Sequence, residues 1–397
     1  MYPRSPLESI NKFHQELTAL RKDLHANPEM GFKELRTSGI VAGALEALGI
    51  EVHRGIGKTG VVGVLRGKRS DSGRMVGLRA DMDALPIIEE NDVAHCSATP
   101  GLMHACGHDG HTAILLGTAK YLAENKNFNG TAIFIFQPAE EGLGGAKAML
   151  EDGLFEKFPC DAIYALHNWP ALPAGVIGIN PGPMMAASDR FEIKIEGRGG
   201  HGAHPYQTID PIIVAAQIIT ALQTIVSRNI HPVESAVISL GHIQAGNAAA
   251  PSVIPSHAVL IGTVRTFSDD VQKIVESRMR KLIATIADAF GATAELDYQR
   301  SYPATINSTE QANFLADVAT DLFGAERVVR NLIPSMGSED FSFMLKQRPG
   351  AYFRLGQGGA EAGKLLHNPK FDFNDEVIPT GSAMFAALVE RSMPLEA

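Results

Sequence analysis

Apolar positions in residues 5–27 recur at helical spacing (Ile10, Phe13, Leu17, Leu20 and Leu24), which predicts an amphipathic helix. Pro28 ends it by pushing Asn27 out of the helical region. A second helix is expected over 34–48, stopping at Gly49. The pattern then shortens to apolar runs at 60–66, 75–80, 129–136 and 162–167, with helical stretches at 112–123 and 145–150 between them. Short runs that are apolar throughout, separated by helices, predict an α/β fold whose mostly parallel sheet is covered by helices.

From residue 187 the pattern changes. Residues 188–196 alternate (Phe191, Ile193, Ile195), 209–227 read as a helix, and 234–243 and 258–266 as strands. A helix at 269–290 and a strand at 293–299 complete the order βαββαβ, that of a ferredoxin-like domain. A helix at 309–323, a strand at 351–355 and a closing helix at 380–391 then return to the first pattern. The expected layout is a discontinuous α/β domain, 1–186 with 302–397, interrupted by an inserted domain at 187–301.

Composition narrows the picture. A chain of 397 residues exceeds one compact core, in keeping with two domains. The net charge of −9 argues against nucleic-acid and anionic-membrane partners, which attract basic faces. No run is read as long enough to span a bilayer, and residues 1–21 are charged and helical rather than signal-like. Cys96, Cys106 and Cys160 make a poor disulfide framework, so a reduced, cytoplasmic setting is expected.

The densest chemistry lies in His104-Ala-Cys106-Gly-His108-Asp-Gly-His111, a turn with four metal-capable side chains leading into a helix that Asp109 would N-cap. Glu140 and Glu141 follow the run at 129–136. Adjacent carboxylates diverge, so one can ligate a cation while its neighbour acts as a base; a solvated pair opening a helix is the competing reading. His167 ends another apolar run, and His367 sits in a proline-containing loop. Asp81 and Asp83 leave the run at 75–80, as turn formers or as carboxylates that orient histidine ligands. In the inserted domain, His201 lies in a glycine-rich bend where it would polarise a carbonyl, and Arg265 ends a strand where it would clamp a carboxylate; either is equally at home on a plain surface.

With these residues in place, the chain resembles the aminoacylase, hippurate hydrolase and auxin-conjugate hydrolase family of dinuclear metallo-amidohydrolases. The resemblance runs from His25-Ala-Asn-Pro-Glu29 to Phe373-Asn374-Asp375, through Met103-His-Ala-Cys106-Gly-His108-Asp-Gly-His, Gln137-Pro-Ala-Glu140-Glu141, Leu166-His167 and Leu366-His367-Asn-Pro. It implies Cys106, His108, Glu141, His167 and His367 as ligands of two divalent ions (Zn, Mn, Co or Ni), and Glu140 as general base. It further implies a lid domain that dimerises, with His201 reaching a neighbouring subunit's site, and a pocket-lining helix start at Gly337-Ser-Glu-Asp340-Phe. The chain departs from the family at Ala250-Pro-Ser252-Val-Ile-Pro255, where relatives carry Asn before Val-Ile-Pro, so Ser252 or Asn247 would take over substrate binding. The implied activity is hydrolysis of N-acyl amino acids, small-molecule substrates, by a homodimer or higher homo-oligomer. Two rivals remain: a dipeptidase or carboxypeptidase with the same machinery, and a cysteine hydrolase with Cys106 as nucleophile.

Overall fold

The computed structural model describes residues 6–395; Ser5, where the first helix was expected to start, lies outside them, as do residues 1–4 and 396–397 of the expected first domain. The chain forms two compact units, one of Met1–Met184, Ile306–Ile333 and Asp340–Ala397, the other of Met185–Thr305 and Pro334–Glu339.

In the first unit the expected single N-terminal helix is broken: Pro6–Ile10 is helical, Asn11–Phe13 tightens into a 3₁₀ turn, and α1 follows at His14–Ala26. Next come α2 (Leu35–Ala47), β1 (Glu51–Ile56), β2 (Gly60–Arg66), β3 (Met75–Asp81), α3 (His108–Asn125), β4 (Thr131–Gln137), β5 (Ala162–Trp169) and β6 (Ile177–Ile179).

The second unit contains β7 (Ala187–Glu196), α4 (Pro211–Asn229), β8 (Ala236–Ala245), β9 (His257–Thr266), α5 (Asp269–Ala289) and β10 (Thr293–Tyr302). Its antiparallel sheet has the order β8-β9-β7-β10, which is the ferredoxin-like arrangement. Phe191, Ile193 and Ile195 on the inward face of β7 share one core with Val214, Ile218 and Leu222 of α4 and Val275, Met279 and Ile283 of α5. Helix α4 starts at Pro211 because Asp210 caps it, accepting from the Ile212 N–H at 2.9 Å, two residues later than the apolar pattern suggested. At 19 residues and mean hydropathy 1.4, this helix is long and apolar enough to cross a membrane, contrary to the sequence reading. Val214, Ile218, Leu222 and Ile225, spaced three or four apart, form the stripe that covers the sheet, and 33% of that apolar window is buried.

The first unit resumes with α6 (Thr309–Phe323), β11 (Val328–Arg330), β12 (Gly350–Gly356) and α7 (Ile378–Ser392). Its eight strands are ordered β1-β2-β4-β3-β5-β12-β6-β11. The four central strands, β4, β3, β5 and β12, are mutually parallel, while β1, β2 and β6 join antiparallel to their inner neighbours. Every residue of β4 and β12 is buried. Phe134 and Phe136 alone bring about 1.5–3 kcal/mol each by leaving water. Parallel central strands put their carboxyl ends along one edge of the sheet, where open α/β sheets hold their ligands.

Candidate metal centre

Three strand ends and two loops build the centre. Strand β3 runs out into Asp81-Met82-Asp83, β4 into Pro138-Ala139-Glu140-Glu141, and β5 closes on His167-Asn168-Trp169. The Cys106-Gly107 turn opens α3, and the loop after β12 supplies His367, whose N–H donates to the Ala105 carbonyl at 2.8 Å. Gly107 has φ +91°, and a Cβ there would stand 2.3 Å from Asn168 Nδ2, so only glycine fits. That same Nδ2 donates to the Cys106 carbonyl at 2.6 Å, tying the turn to the end of β5.

Gly107, and not Asp109, occupies the N-cap of α3. Asp109 lies in the first turn, buried, with Oδ2 2.8 Å from His25 Nδ1 and 3.7 Å from Arg21 Nη1. Its carboxylate is recruited by distant cations rather than by local N–H groups, which overturns the capping expectation.

The expected ligands meet. Cys106 Sγ is 3.3 Å from His167 Nε2, and His367 Nε2 is 3.1 Å from Glu141 Oε1. Donor atoms fall within 4.8 Å of one another in three overlapping triads: Cys106, His108 and His167; Cys106, Glu141 and His367; His108, Glu140 and Glu141. His108, Cys106 and His167 are buried, Glu140 is 7% exposed, and the His367 side chain is 53% exposed. The neighbours set the ring orientations. His108 Nδ1 faces Asp83 Oδ1 at 3.2 Å, and His167 Nδ1 donates to the Asn168 carbonyl at 2.7 Å, so both rings turn Nε2 inward. Asp83 therefore orients His108, whereas Asp81 binds His111 Nδ1 at 2.6 Å and lies 3.7 Å from His108 Nε2. His111 is not free to ligate, since its Nε2 accepts from the Asn168 backbone N–H at 2.9 Å.

The electrostatics fit a cation. Burial alone would lower the His108 pKa, yet Asp81, Asp83 and Glu141 lift it to about 10. Burial together with Glu141, Glu140 and Asp81 pushes the Cys106 thiol well above its usual range, the opposite of what activates a cysteine nucleophile. Burial and the neighbouring His111 hold His167 well below the ordinary imidazole value, and thus neutral. His108 Nε2 is buried without a hydrogen-bond partner among the described residues. One thiol, three imidazoles and two carboxylates around that orphaned nitrogen suit borderline divalent ions.

The other expected residues lie in the second unit. His201 is exposed, in a two-residue strand paired with Val253–Ile254, and its Nδ1 accepts from the Ala203 N–H at 3.0 Å. The Gly202 N–H donates to the Ser252 carbonyl at 2.7 Å, so this strand pairing brings His201 and Ser252 together. Asn247 is exposed, its side chain accepting from Ala249 N–H at 2.9 Å in a local turn. Arg265 is half-buried, with Nη1 3.4 Å from Ser338 Oγ.

Two supports have no reading from the sequence, and a third, Asp340, is expected there only as part of a pocket-lining helix start. Asn168 was hidden in plain view beside His167. Asp340, at the expected helix start, donates its backbone N–H to Glu140 Oε1 at 3.3 Å and accepts from the Ala146 N–H at 2.9 Å. Fully buried Arg79 joins Asp340 at 3.1 Å to Asp81 at 2.6 Å. An arginine inside an apolar strand run was the only available signal.

Known proteins match this chain over most of its length. The model of "Peptidase family M20/M25/M40" matches residues 77–391. Hippurate hydrolase of Campylobacter jejuni is 44% identical over 373 residues, covering 94% of this chain and 95% of that protein. Thermostable carboxypeptidase 2 of Saccharolobus solfataricus is 39% identical over 386 residues, 96% of either protein. Among solved structures, a dinuclear metal binding peptidase from the M20 family of Bacillus subtilis superposes with a TM-score of 0.85 at 37% identity, covering 96% of this chain and 99% of that one. Fold, site and relatives together define a metal-dependent amidohydrolase. The chain belongs to peptidase family M20/M25/M40.

Proposed function

We propose that this enzyme hydrolyses the amide bond of N-acyl amino acids, releasing a carboxylic acid and a free amino acid. The observation that carries the reading is the placement of the adjacent glutamates: Glu141 lies with Cys106 and His367, and buried Glu140 shares the His108 cluster with it. Cys106, His108, Glu141, His167 and His367 would hold two divalent ions, drawn from Zn, Mn, Co and Ni. When bound, these ions supply Lewis acidity toward a carbonyl and lower the pKa of water. Glu140 takes the proton of the attacking water and passes it to the amine nitrogen as the C–N bond breaks, so the base is regenerated. Asp83 and Asn168 keep the His108 ring and the Cys106 turn in place.

His201 is assigned as a donor to the developing oxyanion. The Ala203 N–H occupies its Nδ1, which leaves the proton on Nε2. Arg265, with Ser252 or Asn247, is assigned to the substrate's polar groups, the arginine matching a free carboxylate. The working unit proposed is a homodimer: β8 is an edge strand of the second unit's sheet, and Ile243 on it is exposed. The free thiols Cys96, Cys106 and Cys160 fit a reducing compartment such as the cytoplasm.

The carboxypeptidase among the relatives keeps a peptide substrate in contention. Steady-state rates of the metal-reconstituted enzyme on N-acyl amino acids and dipeptides decide between them. The proposal expects kcat/KM to be higher on the acyl series; a reversed preference overturns it.

A further inference from the structure

Glu34 immediately precedes α2, yet its side chain does not cap that helix. It turns inward and is fully buried. Oε2 accepts from the Thr59 hydroxyl at 2.5 Å, and Oε1 accepts from the Ala139 backbone N–H at 2.8 Å, across 105 residues of sequence. Among the described residues it makes no ion pair, and burial raises its pKa. A buried carboxyl group with no cation beside it is a poor source of stability. Such groups persist where they fix a geometry that function needs.

The geometry here is the backbone of Ala139. With φ +54° and ψ +44° it is left-handed, a conformation that glycine adopts freely and alanine does not. Gly31 presses on it, for a Cβ at Gly31 would stand 3.0 Å from both Ala139 Cα and Cβ. On the far side, the Ala139 carbonyl accepts from the Gly145 N–H at 2.9 Å, and the Glu141 N–H donates to Asp83 at 3.0 Å. The left-handed residue stands directly before Glu140 and Glu141, so its backbone angles set the direction in which that pair leaves β4.

We propose that Glu34 is a positioning residue for the reaction: by gripping the Ala139 N–H it holds the left-handed turn that sends Glu140 and Glu141 to different partners. Glu34 touches neither substrate nor ligand side chains; it acts through one peptide group. The inference rests on the reading of Glu140 as base and Glu141 as ligand.

Four variants test it: Glu34→Ala, Glu34→Gln, Ala139→Gly and the double variant Glu34→Ala/Ala139→Gly. Each is measured for kcat and KM at saturating metal, for zinc affinity of the apo-protein by chelator competition, and for Tm. Glu34→Ala should lower kcat at least about tenfold and weaken zinc binding by roughly the same factor, with KM changed less than about threefold, as for lost supports of ligands elsewhere. Glu34→Gln should stay within about threefold of the parent, because its oxygen still accepts from Ala139 and its amide donates to the Thr59 oxygen. Ala139→Gly should be active alone and should restore most of the kcat lost in Glu34→Ala, since glycine enters the left-handed turn without the Cβ penalty that the Glu34 grip otherwise offsets.

A Glu34→Ala enzyme with parental kcat and zinc affinity and only a lower Tm overturns the proposal, and so does a lost kcat that Ala139→Gly fails to restore. Should Glu34→Ala not fold, Thr59→Val loosens the grip alone and must lower kcat with rescue by Ala139→Gly. Failure of the underlying reading looks different: Glu140→Gln would then remain active, whatever the Glu34 series shows.

Discussion

Asp83 binds two of the centre's elements at once: Oδ1 faces His108 Nδ1 at 3.2 Å, and Oδ2 accepts the Glu141 N–H at 3.0 Å. A single carboxylate thus sets the spacing between the start of α3 and the turn after β4. Asp83→Ala should weaken divalent-metal binding about 10–100-fold, the usual consequence of losing a group that orients a ligand. Isothermal titration of the apo-protein measures this, and unchanged affinity would remove Asp83 from the centre.

The glutamate pair should separate by assay. Glu141→Ala loses metal, whereas Glu140→Ala retains it and binds substrate but turns over at least about a hundredfold more slowly. Metal content by atomic absorption, set beside kcat, reads both. Equal metal loss in the two variants would contradict the division of roles.

Stability of the metal-free protein should depend on pH through His25. Burial would lower its pKa, but Asp109 and Glu89 raise it from 6.5 to about 9. Its contribution is therefore complete below pH 6.5 and disappears as pH rises through 9, a loss on the order of 3 kcal/mol. Glu89 runs the other way: despite burial, His25, the Ser97 N–H and Asn91 bring it from 4.5 to about 2, so its contribution holds above pH 4.5 and fades toward pH 2. Urea denaturation of chelator-treated protein should find this network strongest between these limits, and His25→Gln should flatten the alkaline arm.

His201→Ala should lower turnover on the order of a hundredfold with metal content unchanged, as for removal of an oxyanion donor. Mixing it with Glu140→Ala under subunit exchange should restore activity. Demonstrated heterodimers without activity would return His201 to its own subunit or to no role.

The sequence disclosed those parts of the centre that end apolar runs. Glu140 and Glu141 follow a buried strand, His167 lies near the end of another, and Cys106 and His108 open a long helix, so local pattern pointed to them. The supports were illegible for a physical reason: their partners lie far along the chain. Glu34 looks like any residue at a helix start, and Asp109 sits where a cap belongs; only the fold reveals that Ala139 and His25 claim them. Strand direction was equally hidden, since the run at 60–66 is as apolar as its neighbours yet lies antiparallel to β4. Strand β1 was overlooked because Glu51, His53 and Arg54 give it the polarity of a loop.

The strand order carries a consequence for how the molecule is made. Strand β12 lies between β5 and β6, yet residues 350–356 are synthesised long after both, with the 185–305 part of the second unit made in between. Until then β5 presents an apolar, unpaired edge, and four proposed ligands exist without His367. Chains fold from the N-terminus as they emerge, and such edges invite association. A nascent chain therefore carries an open apolar strand edge until β12 arrives, and its five proposed metal ligands are complete only once His367 follows.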